Sequence, residues 1–338
     1  MGRDKADHLR LFHAIQERKF FIPAQYANLL TGFPTVETLV RSLYPSFDFD
    51  LKHHEPFNYA NITDVPSYTW SYPSILADAG IKYLIAGCNR TRGPILNESF
   101  LLEKSPFWWE GPDGKKVLMW YSDSYGQVGS LFGLPPTVTT GHASLPRFLQ
   151  MYPSSIYKPS SFLLFGAQWE NSDMFPQQAT IAEDWDKIYA YPDLRFSGFA
   201  HAMAEVAKAD GNSIPVYRGD GGPYWEDGIA SDAYYAAMNR QSEQRALSAE
   251  KIATLSFLVN PPSRPNRGII RKMWQNLILF DEHTWGAGGS ISSPESEETV
   301  RQLAVKDAFA TRAKHQVQFV LGRGLAALAD RINVPSGT

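Results

Sequence analysis

An α/β region followed by a helical region is the fold class this sequence predicts, and three observations predict it. First, residues 61–87 read as a βαβ unit: a β-branched run stopping at Asp64, a helix opened by Pro73 and closed by Gly80, and the nearly all-apolar run Ile81 to Gly87. Such apolar runs belong to strands buried on both faces of a parallel sheet. Second, more strand-like runs follow, Phe107 to Trp120 around Asp113-Gly114 and Ser161 to Gly166. Third, the pattern turns helical beyond Ser231, with helices expected over Tyr234 to Leu258, Ile269 to Glu282 and Glu295 to Val320. Helices gathered after a βα region point to a helical bundle beside a barrel.

Taken in order, His8 to Arg18 places Leu9, Leu11, Phe12 and Ile15 at helical spacing. Lys19 to Pro23 reads as a strand entering a loop, and Thr35 to Tyr44 as a helix with Val36, Leu39, Val40 and Leu43 on one face. Opening on a helix is unusual for a βα-repeating fold, which a missing earlier strand would explain. In the central unit, Pro suits the first helical turn because its absent N–H would be unpaired there. Gly80 suits the left-handed C-terminal position, where a Cβ is penalised. Asp113-Gly114 marks a hairpin. Ser122 to Ser144, rich in Gly, Pro and Thr, is expected as a surface loop, the segment around Trp185 as a helix, and Leu194 to Phe196 as a short strand. The domains so drawn are 1–215, a loop or linker over 216–232, and 233–333.

Composition narrows the function classes. The chain has 338 residues, net charge -3 and 20% charged residues, with no long basic run to mark a nucleic-acid or membrane partner. No stretch has the apolar length that spans a bilayer, and Met1 to His8 carry no apolar signal segment, so compartment stays open. Trp 9, Tyr 16 and Phe 20 fit recognition of a neutral ligand with apolar faces, such as a sugar, as well as an ordinary aromatic core. Cys88 is the single cysteine, so a metal site must draw on His and carboxylates.

The candidate chemistry lies at strand and helix ends. Asp64 sits at the carboxyl end of a predicted strand, where α/β folds bind ligands and carry catalysis; it is equally suited to accepting loop N–H bonds. The loop Gln168 to Asp173 brings Glu170 and Asp173 to a second predicted strand end. His283, between acids at a helix end and before a glycine-rich turn, is placed to face a cleft or to cap the helix dipole. Tyr68, Arg218, Trp225 and Asp227 are candidate substrate contacts: the Trp ring for stacking, Asp227 for accepting hydroxyl bonds. Arg218 could orient a carboxylate by a bidentate pair, or make a structural ion pair.

Four segments, in one order, carry a family likeness: Asp64 through Pro73 to Gly80; Phe107-Trp108-Trp109-Glu110-Gly111-Pro112-Asp113-Gly114; Trp225-Glu226-Asp227-Gly228 running into Asn239-Arg240; and Leu279-Phe280-Asp281-Glu282-His283. Together they resemble the glycoside hydrolase family 38 α-mannosidases, over most of the chain. The likeness is to a divergent branch whose nucleophile loop reads Thr-Asp-Val-Pro, as Thr63 to Pro66 do. It implies a seven-stranded α/β barrel, incomplete here, followed by a three-helix bundle, with one Zn2+ held by a His-x-Asp pair, the nucleophilic Asp and a bundle His. Asp64 matches the nucleophile and metal ligand, and His283 the bundle ligand. No His-x-Asp pair precedes Asp64, so the likeness also implies a chain truncated at its amino end and ending before the family's β-sandwich domains.

The implied reaction is retaining glycoside hydrolysis, in which two carboxyl groups flank the scissile bond, one as nucleophile and one as acid then base. Asp64 would be the nucleophile. Glu170 and Asp173 compete for the acid/base role, Glu170 being slightly favoured because Trp169 beside it would desolvate its carboxyl. Zinc would act as template and charge stabiliser for the sugar hydroxyls. A carbohydrate is the implied partner, and homo-oligomerisation stays open. Two other readings are a metal-dependent carbohydrate deacetylase and an inactive or carbohydrate-binding remnant of the fold.

Overall fold

The computed structural model describes residues 5–64, 67–88, 105–122, 124–151, 160–166, 175–221, 225–284 and 286–332. They divide into two units, Met1–Asn28 with Leu43–Tyr224, and Leu29–Ser42 with Trp225–Thr338. Leu29–Ser42, which the sequence reading counts with the first domain, clusters with the second.

The first unit is built on a five-stranded mixed sheet of β1 (Tyr59–Asp64), β2 (Tyr83–Cys88), β3 (Phe107–Glu110), β4 (Lys116–Ser122) and β5 (Val216–Arg218), in the order β1-β2-β4-β3-β5. β1, β2 and β4 run parallel, β3 is antiparallel to β4, and β5 is parallel to β3. The apolar runs of β2 and β4 are buried as expected. Ile85, Leu118 and Trp120 share a core with Tyr59, Phe165, and Ala200, Met203 and Val206 of a helix over Phe199–Asp210. The βαβ reading holds in detail. The crossover helix Tyr72–Asp78 carries Pro in its first turn, and Gly80 follows at φ 78° with Ile81 N–H donating to Leu76 O at 2.9 Å. The hairpin holds too: Gly114 takes φ 84° between β3 and β4, and Gly111 N–H donates to Lys115 O at 2.8 Å.

Four local expectations are corrected. Lys19 to Pro23 forms no strand, nor do Ser161 to Gly166 or Leu194 to Phe196. The 161–166 run is apolar because it is packed: Phe165 lies in the sheet core and Leu164 against Trp185. Its backbone bonds go elsewhere than a ladder, Phe165 N–H to Gln127 Oε1 (3.1 Å) and Phe165 O from Val128 N–H (3.0 Å). The expected surface loop over Ser122 to Ser144 contains helices at Gln127–Phe132 and Val138–Met151. Their Leu131, Phe132 and Leu145 join Ile181 and Trp185 of the helix Ile181–Asp186 in a second core, and that burial overrides the weak helix propensity of Gly, Thr and Pro. Two further helices, Lys5–Gln16 and Tyr44–His53, complete the unit's amino-terminal part. Five strands are present among the described residues, against the seven the family likeness implies.

The second unit consists of helices: α2 (Val36–Arg41), α9 (Ala233–Val259), α10 (Arg267–Phe280) and α11 (Glu297–Ala329), with a 3-10 turn at Trp225–Asp232. The starts of α2, α10 and α11 are capped by side-chain oxygens of Thr35, Asn266 and Ser296, which accept N–H groups of the first turns. Ala246, Ala249 and Ala253 of α9 present a small-residue face to Met273, Trp274 and Leu277 of α10 and to Ala313, Val317 and Val320 of α11, so three long helices share one core. No helix among the described residues is long and apolar enough to cross a membrane.

Candidate functional site

In the first unit, Asp64 ends β1, so it stands at the carboxyl end of the parallel strands. Its φ is 67°, one of three positive values among described non-glycine residues. The left-handed region is sterically costly for an L-residue with a Cβ, less so for Asp, and is held only where neighbours impose it. The neighbours are on both sides of β1. Ala60, Ile62 and Asp64 pair with β2, whereas the alternate residues Tyr59, Asn61 and Thr63 are bonded from the chain just before α2: Ala24 N–H donates to Tyr59 O at 2.9 Å, and the amides of Gln25 and Asn28 bond the main chain of Asn61 and Thr63.

Beyond Asp64, Ser67 and Tyr68 are packed inward. Tyr68 is 1% exposed and meets Tyr121 edge-on at 5.6 Å and Trp109 at 6.4 Å, and its carbonyl accepts Gly221 N–H at 2.8 Å. Trp70 is tied at both ends: its backbone N–H donates to Asp220 Oδ1 at 2.6 Å, and its indole N–H to Glu110 O at 2.8 Å. Arg218 lies opposite Glu110 across β3 and β5, and two of its guanidinium nitrogens reach Glu110 Oε1 at 2.7 Å. That is the structural ion pair among the two roles open to Arg218. Glu170 and Asp173 lie outside the described residues. The backbone of Trp225 and Asp227 opens the 3-10 turn of the second unit, and their side chains are outside what the structure describes.

In the second unit, His283 follows α10 and belongs to a buried charge network that sequence reading missed. His283 Nδ1 is hydrogen bonded to Glu282 Oε1, and Glu282 Oε2 accepts from both the N–H and the hydroxyl of Thr284. Lys306 of α11, 7% exposed, sits 3.5 Å from Glu282 Oε2 and donates to the main-chain oxygens of Leu279 (3.3 Å) and Glu282 (2.8 Å). It therefore satisfies the open carbonyl end of α10 from another helix. Burial pushes the Glu282 carboxyl up, but the bond and charge of His283, with Lys306 and Thr284, outweigh it and bring the group down to about 2.

Behind this pair lies a second one. Asp281 and Glu243 are both almost fully buried, and burial raises both carboxyls, Asp281 well above its usual range with the Glu243 charge adding to the push. Glu243 accepts from the Thr38 hydroxyl, from Thr35 N–H (3.4 Å) and from Arg240 (3.5 Å), which favours its charge. Asp281 Oδ1 accepts from Asn239 at 2.8 Å, and its Oδ2 meets no donor among the described residues. Each carboxyl disfavours the charge of the other, and the push is strongest on Asp281, the more deeply buried of the two. Asp232 and Asp307 form a third pair, in which burial, then the Asp307 hydrogen bond and charge, raise Asp232 to about 7. The sequence signal for all this was the Asp281-Glu282-His283 run together with Asn239-Arg240 at helical spacing from Glu243; the Lys306 contribution leaves no local mark.

A metal-binding imidazole normally donates its second ring nitrogen to a carboxylate, which fixes the tautomer and leaves the other nitrogen as ligand. His283 with Glu282 has that arrangement through Nδ1. Among the described residues, no group of three or more His, Cys, Asp or Glu side chains is placed to hold a metal ion.

No family model matches the chain, and no curated protein matches it. Solved structures do. An alpha-mannosidase from Enterococcus faecalis V583 is similar with a TM-score of 0.73 at 16% identity, over 98% of this chain and 37% of that one. A protein in the glycosyl hydrolase family 38 from Enterococcus faecalis is similar with a TM-score of 0.65 at 15% identity, over 97% of this chain and 34% of that one. The chain thus spans about a third of the length of the structures it matches. Its fold is the one found over the matched part of these two structures.

Proposed function

We propose that this chain carries the catalytic elements of a retaining α-glycosidase acting on α-mannosides, with Asp64 as the nucleophile. The observation that carries the reading is Asp64 itself: an acid at the carboxyl end of a parallel strand, at φ 67°, braced on both edges of that strand. A double displacement needs a carboxylate held within a fraction of an ångström of the anomeric carbon, and a strained, braced strand end is a way to hold one. In the first step the Asp64 carboxylate bonds to the anomeric carbon as the leaving oxygen takes a proton from the loop acid, Glu170 or Asp173. In the second, the same acid, now a base, takes a proton from water while the water oxygen bonds to the anomeric carbon and the bond to Asp64 breaks.

Zinc is the proposed cofactor, with Asp64 and His283 among its ligands. His283 fits through its Glu282-held ring; when bound, the ion would polarise and orient sugar hydroxyls. Trp225 and Asp227 are the proposed sugar contacts, with Arg218, already paired with Glu110, offering a sugar only the N–H groups that pair leaves over; Tyr68 is buried against Tyr121 and Trp109.

The test is hydrolysis of an aryl α-mannoside followed by proton NMR. Retention, with the α-anomer of mannose appearing first, and loss of turnover in Asp64→Asn are the expected results. Initial β-mannose, or acetate release from an acetylated sugar without glycoside cleavage, would contradict the reading.

A further inference from the structure

β1 is an edge strand in an unusual sense: its outer edge is closed by side chains. Tyr59, Asn61 and Thr63 point their main-chain groups away from β2, and an exposed row of this kind is normally paired by another strand or left to water. Here Asn61 N–H donates to Gln25 Oε1 at 3.1 Å while Asn61 O accepts from Gln25 Nε2 at 2.8 Å. Thr63 N–H donates to Asn28 Oδ1 at 3.1 Å, and Thr63 O accepts from Asn28 Nδ2. A carboxamide carries the same donor and acceptor as a peptide unit, so each amide reproduces one rung of a β ladder.

We infer that Asn28 is a positioning residue for Asp64, clamping Thr63 so that the next residue leaves the strand in its left-handed conformation with a fixed side-chain direction. The inference rests on Asp64 being the nucleophile. Gln25 supplies an internal control. It makes the same two bonds to the same edge, but to Asn61, three residues before Asp64 rather than one. A rotation about Thr63 transfers directly to the Cα–Cβ direction of Asp64; the same rotation at Asn61 is absorbed by the pairing of Ile62 with β2. Misplacement by about 1 Å costs on the order of a hundredfold in rate. Substrate binding elsewhere is untouched, so the loss falls on kcat.

The experiment compares Asn28→Ala, Asn28→Asp and Gln25→Ala, with Asp64→Asn as reference, by steady-state kinetics on an aryl α-mannoside and by amide hydrogen exchange. Asn28→Ala is expected to speed exchange at Thr63 and lower kcat about 10- to 100-fold with KM within about twofold. Gln25→Ala is expected to speed exchange at Asn61 and keep kcat within about threefold. Asn28→Asp, which keeps the acceptor for Thr63 N–H, should fall between parent and Asn28→Ala. Equal kcat losses in Asn28→Ala and Gln25→Ala, or unchanged Thr63 exchange in Asn28→Ala, would overturn the positioning role while leaving the nucleophile in place. Turnover surviving in Asp64→Asn, or absent from the parent, would overturn the nucleophile reading and the positioning role with it. Thr63 exchange would then still report whether the clamp forms, so the two failures are told apart.

Discussion

The two candidate groups are held by opposite means. Asp64 is placed by main-chain geometry: strand pairing on one side, two carboxamides on the other, and no ionisable group in the clamp. His283 is placed by charge: Glu282, Lys306 and, behind them, two carboxyl pairs that burial pushes up. Amide–peptide bonds are indifferent to pH, whereas buried carboxyls change their bonding with every proton gained or lost. One device gives a direction that survives a change of conditions, and the other ties the position of a side chain to its protonation.

Substitutions can break each device separately. The largest loss is expected from Lys306→Met. It removes the cation from a buried cluster and uncaps two carbonyls, and breaking a buried pair from one side costs about 3 to 5 kcal/mol; urea unfolding would show it as a lower midpoint. Asn28→Ala deletes two bonds worth about 1 kcal/mol each, so about 2 kcal/mol is expected from the same measurement.

The third prediction concerns pH. Asp232 is raised from 3.8 to about 7, so the folded chain keeps a proton that the unfolded chain releases across that interval. Stability from this group is therefore present at low pH, falls as pH rises from about 4 through about 7, and is level above. Glu282, depressed from 4.5 to about 2, works the other way and loses its contribution only as pH falls below its ordinary value. Thermal unfolding between pH 4.5 and 7.5 should show a downward slope that Asp232→Asn reduces.

The smallest effect is expected from Asp281→Asn. An amide mimics the protonated carboxyl, donating toward Glu243 and accepting from Asn239, so the change should cost less than about 1 kcal/mol at pH 7. A loss several times larger would mean that Asp281 is ionised at pH 7 and that burial does not raise it as described.

How much of this the sequence disclosed depended on whether a segment's bonds are local. The crossover from Asp64 to Gly87 and the three long helices were legible because period, capping and Gly and Pro positions agree within each segment. Ser161 to Gly166 misled because an apolar run reports burial, and its hydrogen bonds turn out to go to Gln127 and Val128. Lys19 to Pro23 misled similarly: the chain does run on toward β1, but Gln25 and Asn28 bond that edge with side chains instead of a ladder. Gln127–Phe132 and Val138–Met151 were hidden by residues poor in helix propensity, rescued by packing on Trp185. Asp64 and His283 stand at the element ends where the sequence places them. Lys306 leaves no such mark, since the carbonyls it bonds, those of Leu279 and Glu282, lie more than twenty residues earlier.

The most direct measurement is peptide mapping after incubation with a fluorinated mannosyl fluoride, which forms the glycosyl-enzyme intermediate quickly and releases it slowly. The account predicts a mass increase of one fluorosugar on the peptide containing Asp64, absent in Asp64→Asn. A label on any other carboxylate would contradict Asp64 as the nucleophile. Turnover of the reagent to an inverted product with no adduct would contradict the double displacement itself.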